Sequence, residues 1–89
     1  MVTKCAIIMN KRGIHLRPAT EIFTAIRNFS GKVTVEKEGE EPVVIDTPFA
    51  LIGLCLIQYS LVTITVEGDN EAQFSQELAE LFSRHFDFA

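Results

Sequence analysis

The spacing of apolar residues changes several times along this chain, and these changes constrain its fold more than any other sequence feature. Residues 32–37 and 61–66 alternate between apolar and polar side chains, which is typical of strands with one buried face. Nearer the N-terminus, before residue 32, the apolar residues recur three and four positions apart, beginning with Ala19, Ile22 and Phe23. This spacing indicates an amphipathic helix. A chain that carries both patterns must combine a sheet with helices.

The predicted elements follow one another in the order β-α-β-β-α-β-α. Strands are expected at residues 2–9, 32–37, 42–45 and 61–66, and helices at 16–28, 49–57 and 71–86. A helix with a single apolar stripe has one face to bury, so the helices are expected to cover one face of the sheet in a two-layer α+β fold. The short polar connection at 38–41 makes the second and third strands an antiparallel hairpin. With 89 residues, a single domain, 1–89, is expected.

Two helices carry start signals, and the middle one has an unusual composition. Thr47 and Pro48 suit the N-cap and first position of the helix at 49–57, while Asn70 and Gln73 form a capping-box pattern before the last helix. Every side of segment 49–57 is apolar. We expect partial exposure of this segment, although a fully buried helix or a strand would show the same composition.

Composition and charge restrict the kinds of partner that are expected. The apolar content of 47% is typical of a globular protein, and the net charge of −4 argues against nucleic-acid binding. Residues 1–34 carry six cationic side chains and one acidic, a charge of +5, whereas residues 35–89 carry two cationic and eleven acidic, a charge of −9. The cationic part suits an anionic ligand or partner. A random distribution of charged side chains over the surface would produce the same imbalance.

The cysteine count and the hydrophobic runs bear on the compartment. Cys5 and Cys55 are too few for a disulfide framework or a zinc site, so reduced thiols in a cytoplasmic protein are expected. No apolar run reaches the roughly 18 residues of a membrane-spanning helix, and the N-terminus lacks a signal-peptide pattern. We therefore expect no membrane insertion.

The strongest chemical signal lies at the start of the first predicted helix. His15 precedes Leu16 and Arg17, and Pro18 fits the first helical turn, which places His15 at or beside the N-cap. Neutral imidazole is a nucleophile near pH 7, guanidinium pairs with phosphate or carboxylate, and a helix N-terminus favours anions. These parts predict an anion site that contains a nucleophile. Taken alone, His15 could equally be an N-cap residue without chemistry. His85 has no such partners and is expected to have a surface or helix-terminus role.

The stretch Gly13-Ile14-His15-Leu16-Arg17-Pro18-Ala19-Thr20 resembles the active-site signature of the HPr family, the histidine-containing phosphocarrier proteins of the bacterial phosphoenolpyruvate-dependent sugar phosphotransferase system. Chain length and the position of this stretch also agree with that family. The resemblance covers essentially the whole chain. It implies an open-faced β-sandwich, in which three helices cover one face of a four-stranded antiparallel sheet.

The resemblance also implies the chemistry of the site. His15 would accept a phosphoryl group on Nδ1 from phosphorylated enzyme I and pass it to an enzyme IIA-type domain. Arg17 would hold phosphoryl oxygens through its guanidinium, helped by backbone N–H groups at Leu16 and Arg17. The chain would then be a substrate of enzyme I rather than an enzyme, and it would need no cofactor and no metal. A regulatory, nitrogen-branch paralogue with the same histidine chemistry is the first alternative, and a binding module with unphosphorylated His15 is the second.

The resemblance further implies a docking surface and a candidate regulatory site. The expected docking residues are Leu16, Thr20, Arg27, Pro48, Phe49 and Ile52, with cationic neighbours to meet acidic partners. Thr47 falls where many family members carry a serine that HPr kinase/phosphorylase modifies. Because Asp46 and Pro48 alter that sequence, we expect Thr47 to be a helix cap rather than a phosphosite. A carrier that docks transiently is expected to be a monomer.

Overall fold

The structure, a computed structural model, describes residues 1–86 of the chain and contains four strands and three helices. The strands are β1 (Val2–Ile7), β2 (Gly31–Lys37), β3 (Val43–Val44) and β4 (Leu61–Gly68), and the helices are α1 (Leu16–Arg27), α2 (Pro48–Gly53) and α3 (Glu71–Phe82). Their order, β-α-β-β-α-β-α, is the predicted one. No helix within these residues is long and apolar enough to cross a membrane.

The strands form one antiparallel sheet in the order β1-β4-β2-β3. The strand β4 has the strongest alternation in the sequence and lies between β1 and β2, so Val66 pairs with Val2 on one side and Val33 on the other. At one edge, β3 pairs through only two residues. Pro42 precedes it, and proline cannot donate to a strand ladder. The predicted sheet is therefore confirmed, with β3 shorter than 42–45.

One face of the sheet packs against the helices, and the opposite face does not. The core is formed by apolar side chains of alternating strand positions and of one stripe on each helix: Ala6, Val33, Val35, Val62, Ile64 and Val66 from the sheet, and Ala19, Ile22, Ile26, Leu51, Leu78 and Phe82 from the helices. The other face carries short polar side chains that are exposed or half-buried, including Thr3, Cys5, Thr34, Thr63 and Thr65. This is the predicted α+β open-faced sandwich.

The second helix is shorter than the predicted 49–57. It ends at Gly53, and two residues later Cys55 adopts φ +53°, a left-handed conformation that cannot continue a right-handed helix. Burial within the segment alternates, because Leu51 and Leu54 are buried whereas Phe49 is 72% exposed. The expected partial exposure of this segment is thus confirmed.

Two predictions about the last helix are wrong, and so is one about the end of the first strand. It ends at Phe82 instead of residue 86, so His85 lies beyond the helix and is exposed. The capping box is absent, because Asn70 adopts φ +63° and its side chain makes no capping hydrogen bond, while Gln73 Nε2 donates to Glu77 Oε1 instead. The first strand likewise ends at Ile7 rather than residue 9. Beyond Phe82, the N–H of Phe86 donates to the side chain of Asn10 at 2.6 Å, a contact between distant segments that the local residue pattern does not show.

Candidate functional site

His15 is the N-cap of α1, as predicted. Its backbone is extended, with φ −94° and ψ −167°, and its carbonyl accepts a hydrogen bond from the N–H of Ala19 at 2.9 Å. The imidazole makes no capping hydrogen bond and is half-buried. The backbone of His15 therefore begins the helix, and the side chain is not used for that purpose.

The first turn of α1 provides a favourable environment for an anion. Ala19 makes the first hydrogen bond of the helix and Pro18 has no N–H, so Leu16 and Arg17 supply the backbone N–H groups that precede the helical ladder. No acidic side chain lies in this turn, and the helix end adds about half a positive charge. The exposed Arg17 side chain starts from the same turn. Phosphoryl oxygens near His15 would thus meet donors and positive charge.

The loop before His15 is held against a second loop. Gly13 has φ +72°, its N–H donates to Asn10 O at 2.9 Å, and the N–H of Ile14 donates to Leu56 O at 2.8 Å. A Cβ at Gly13 would lie 2.3 Å from Leu56 O and 3.0 Å from Ile57 Cα. Only glycine fits both this conformation and this close approach. The position of His15 therefore depends on a contact with Leu56, 41 residues further along the chain.

That second loop, residues 54–60, contains two left-handed residues that are not glycine. They are Cys55, with φ +53°, and Tyr59, with φ +72°. Such conformations cost about 1–2 kcal/mol each for residues with a Cβ, so the surrounding contacts must hold them. Tyr59 donates its N–H to Ile8 O, and Lys37 Nζ lies 3.1 Å from Cys55 O. No sequence signal indicates these conformations, because glycine, asparagine and aspartate are the residues that commonly adopt a left-handed backbone.

The predicted docking residues lie on two helices that pack against each other, α1 and α2. Leu16 is 59% exposed and Phe49 is 72% exposed, while Pro48 and Ile52 are half-buried. Thr20 and Arg27 are also exposed on α1, where Thr20 Oγ1 donates to Leu16 O at 2.7 Å. The predicted set thus forms part of the surface. Ile57 and Tyr59, each 68% exposed, are further large apolar residues that the sequence analysis did not single out.

Thr47 is the N-cap of α2. Its backbone is extended, its Oγ1 accepts a hydrogen bond from the N–H of Ala50 at 3.3 Å, and Pro48 occupies the first helical position. The predicted cap is confirmed. Asp46 and Thr47 are both exposed.

Comparisons with known proteins agree with this arrangement. A family model described as the PTS HPr component phosphorylation site matches residues 2–84. The phosphocarrier protein HPr of Borreliella burgdorferi is 36% identical over 81 residues, which cover 91% of this chain and 93% of that protein. The phosphocarrier protein NPr of Proteus mirabilis is 29% identical over 80 residues, covering 90% of this chain and 89% of the relative.

A solved structure shares the fold as well. The crystal structure of a phosphocarrier protein HPr from Bacillus anthracis has a TM-score of 0.82 and 26% identity, and the match covers 90% of this chain and 94% of the other. The resemblance inferred from the stretch around His15 is confirmed by the family model and by relatives that match along nearly the whole chain. The chain therefore belongs to the HPr family of phosphocarrier proteins.

Proposed function

We propose that this chain carries phosphoryl groups from phosphorylated enzyme I to enzyme IIA-type domains during sugar uptake, with His15 as the acceptor. The observation that carries the proposal is the placement of the His15 imidazole at the N-terminus of α1, without a capping hydrogen bond. The chain would act in the cytoplasm, as a monomer and as a substrate of enzyme I, without turnover of its own.

In the proposed step, the lone pair of neutral His15 Nδ1 attacks the phosphorus atom. The bond between phosphorus and the donor then breaks, and the donor keeps that electron pair. Phosphoryl transfer depends mainly on positioning and on stabilising negative charge. The Arg17 guanidinium and the N–H groups of Leu16 and Arg17 would supply this stabilisation, which is worth about 0.3–1 kcal/mol for a charge at an exposed helix terminus. A modest site suits a carrier, since the group must also leave.

The proposal is tested by incubating the chain with enzyme I and phosphoenolpyruvate and following it by 31P NMR and mass spectrometry. We expect one phosphate on His15 that is labile in acid and stable in base. A sugar-specific enzyme IIA domain should then remove it. An unphosphorylated chain would support a simple binding module instead.

The second candidate function is that of a regulatory, nitrogen-branch carrier, which the similarity to NPr of Proteus mirabilis favours. Both candidates use the same histidine chemistry, so phosphorylation of His15 does not separate them. Passage of the phosphate to a sugar-specific enzyme IIA supports the transport role. Phosphorylation without passage to any such domain supports the regulatory one.

Phe49→Ala is expected to weaken docking to enzyme I more than it weakens the fold. Truncating an exposed aromatic residue at an interface typically costs about 1–2 kcal/mol of binding. The KM of enzyme I for this chain should therefore rise about tenfold. Because Phe49 is 72% exposed, the free energy of unfolding should change by no more than about 0.5 kcal/mol. Steady-state transfer kinetics and urea unfolding measure the two effects.

Ile7→Ala is the matched control, since Ile7 is also exposed but lies on the open face of β1. The Ile7→Ala substitution should leave the KM of enzyme I for the chain unchanged. A large loss of stability in Phe49→Ala with a normal KM would instead mean that Phe49 serves the core.

Thr47 is expected to remain unmodified by HPr kinase/phosphorylase and ATP. Its Oγ1 accepts the Ala50 N–H, and Asp46 and Pro48 flank it with a negative charge and a fixed backbone. Mass spectrometry of the treated chain should find no phosphate on Thr47. An HPr that carries the regulatory serine, treated in parallel, shows that the kinase is active. A phosphopeptide containing modified Thr47 would overturn this expectation.

A further inference from the structure

We infer that Asn10 is a positioning residue for His15, because its buried side chain joins the loop before His15 to the segment that follows α3. The inference rests on the proposed function, in which His15 is the phosphoryl acceptor. Asn10 lies at the other end of the short loop from His15 and is not part of the docking surface on α1 and α2. Its role would be to fix the backbone from which the reactive side chain extends.

Asn10 is fully buried, and both ends of its amide have partners. Its Nδ2 donates to Gly13 O at 2.8 Å, and its Oδ1 accepts the backbone N–H of Phe86 at 2.6 Å. One partner is an acceptor and the other a donor, so the orientation of the amide is fixed. The backbone carbonyl of Asn10 also accepts the N–H of Gly13 at 2.9 Å. Two hydrogen bonds between Asn10 and Gly13 therefore close the loop, and a third ties Asn10 to Phe86.

The segment that carries Phe86 is itself anchored. The Phe86 ring is buried in the core, and the Arg84 guanidinium lies 5.8 Å from its centroid. Arg84 Nη1 is also 3.9 Å from Glu21 Oε2 on α1. Because that ion pair is exposed, it contributes little. The buried ring thus anchors this segment to the core, and the hydrogen bond from the Phe86 N–H to Asn10 Oδ1 ties it to the site loop.

Removing the Asn10 side chain would take a partner from the Gly13 carbonyl and from the Phe86 N–H. A buried polar group that loses its hydrogen bond is costly, so the loop is expected to shift or to admit water. Gly13 is two residues before His15, and a shift there would move the imidazole relative to the phosphoryl donor. Displacements of about 1 Å can reduce a transfer rate about a hundredfold. The surface that binds enzyme I would stay intact.

The test compares Asn10→Ala with the native chain in phosphoryl transfer from enzyme I, at a temperature well below the melting point of each variant. We expect the maximal rate to fall by about ten- to a hundredfold, while the KM of enzyme I for the variant stays within about twofold of its KM for the native chain. The 1H–15N signals of the His15 ring should shift as well. Asn10→Ser, whose shorter side chain cannot reach both partners, should behave in the same way if the alanine variant does not fold.

Ser75→Ala is the matched control. Ser75 is the other fully buried polar residue among residues 1–86, and its Oγ donates only within α3, to Ala72 O at 2.8 Å. This variant should lose stability but keep the native rate and His15 signals. Native rates in the folded Asn10 variants, or a raised KM with an unchanged maximal rate, would overturn the inference. Absence of phosphate on the native chain would instead overturn the proposed function.

Discussion

Replacement of His15 by alanine is expected to abolish phosphorylation by enzyme I while leaving the fold intact. No phosphohistidine can form without the imidazole, so the 31P signal and the mass increase should disappear completely. The imidazole makes no capping hydrogen bond, and the backbone bond from Ala19 to His15 O does not depend on the side chain. The free energy of unfolding, measured by urea titration, should therefore change by no more than about 0.5 kcal/mol.

His85→Ala provides the matched control for this experiment. His85 is the only other histidine in the sequence, and it is exposed beyond the end of α3. Its replacement should leave the phosphate signal at full intensity. A phosphorylated His15→Ala chain would show that another residue accepts the phosphoryl group and would refute the proposed carrier step.

Gly13→Ala is expected to have the largest effect on stability of the glycine substitutions near the site. The φ of +72° costs a residue with a Cβ about 1–2 kcal/mol. The new Cβ would also lie 2.3 Å from Leu56 O, and overpacking of this kind adds about 1–3 kcal/mol. The free energy of unfolding should thus fall by about 3 kcal/mol, which in a domain of this size lowers the Tm by at least about 12 °C.

Gly39→Ala separates the two causes of that loss. Gly39 has a similar φ of +84°, but no heavy atom outside its neighbours lies within 4 Å of the position of its Cβ. This variant should lose only about 1 kcal/mol, the cost of the left-handed conformation alone. Equal losses in the two variants, measured by urea unfolding and by thermal melts, would mean that the contact between Gly13 and Leu56 does not constrain the loop. Only Gly13→Ala should also slow phosphoryl transfer, since only that loop carries His15.

The features that could be predicted from sequence are those that neighbouring residues determine. The apolar stripe of α1, the alternation of β4 and the stretch 13–20 each lie within a short segment, so their periodicity and residue types are visible directly. Thr47 followed by Pro48 is a similarly local signal, and the structure confirms the cap. The chemical parts of the candidate site, His15 and Arg17, belong to this class because they lie in one helical turn.

The ends of α2 and α3 were not predictable in the same way. Apolar residues continue past Gly53 and past Phe82, so periodicity alone extends both helices. In the folded chain, Cys55 turns left-handed, and the N–H of Phe86 bonds to a side chain 76 residues earlier. Local propensity is a weak preference that tertiary contacts override.

The sequence by itself therefore determined the class of the fold, the candidate phosphoryl acceptor His15 and the helix terminus on which it lies. Only the tertiary structure decided how the loop before His15 is held, through Leu56 beside Gly13 and through Asn10 bonded to Phe86. The physical reason is that periodicity reports which face of an element is buried, whereas a hydrogen bond between distant segments leaves no pattern along the chain. Asn10 looks like an ordinary loop residue until the fold places it in the interior.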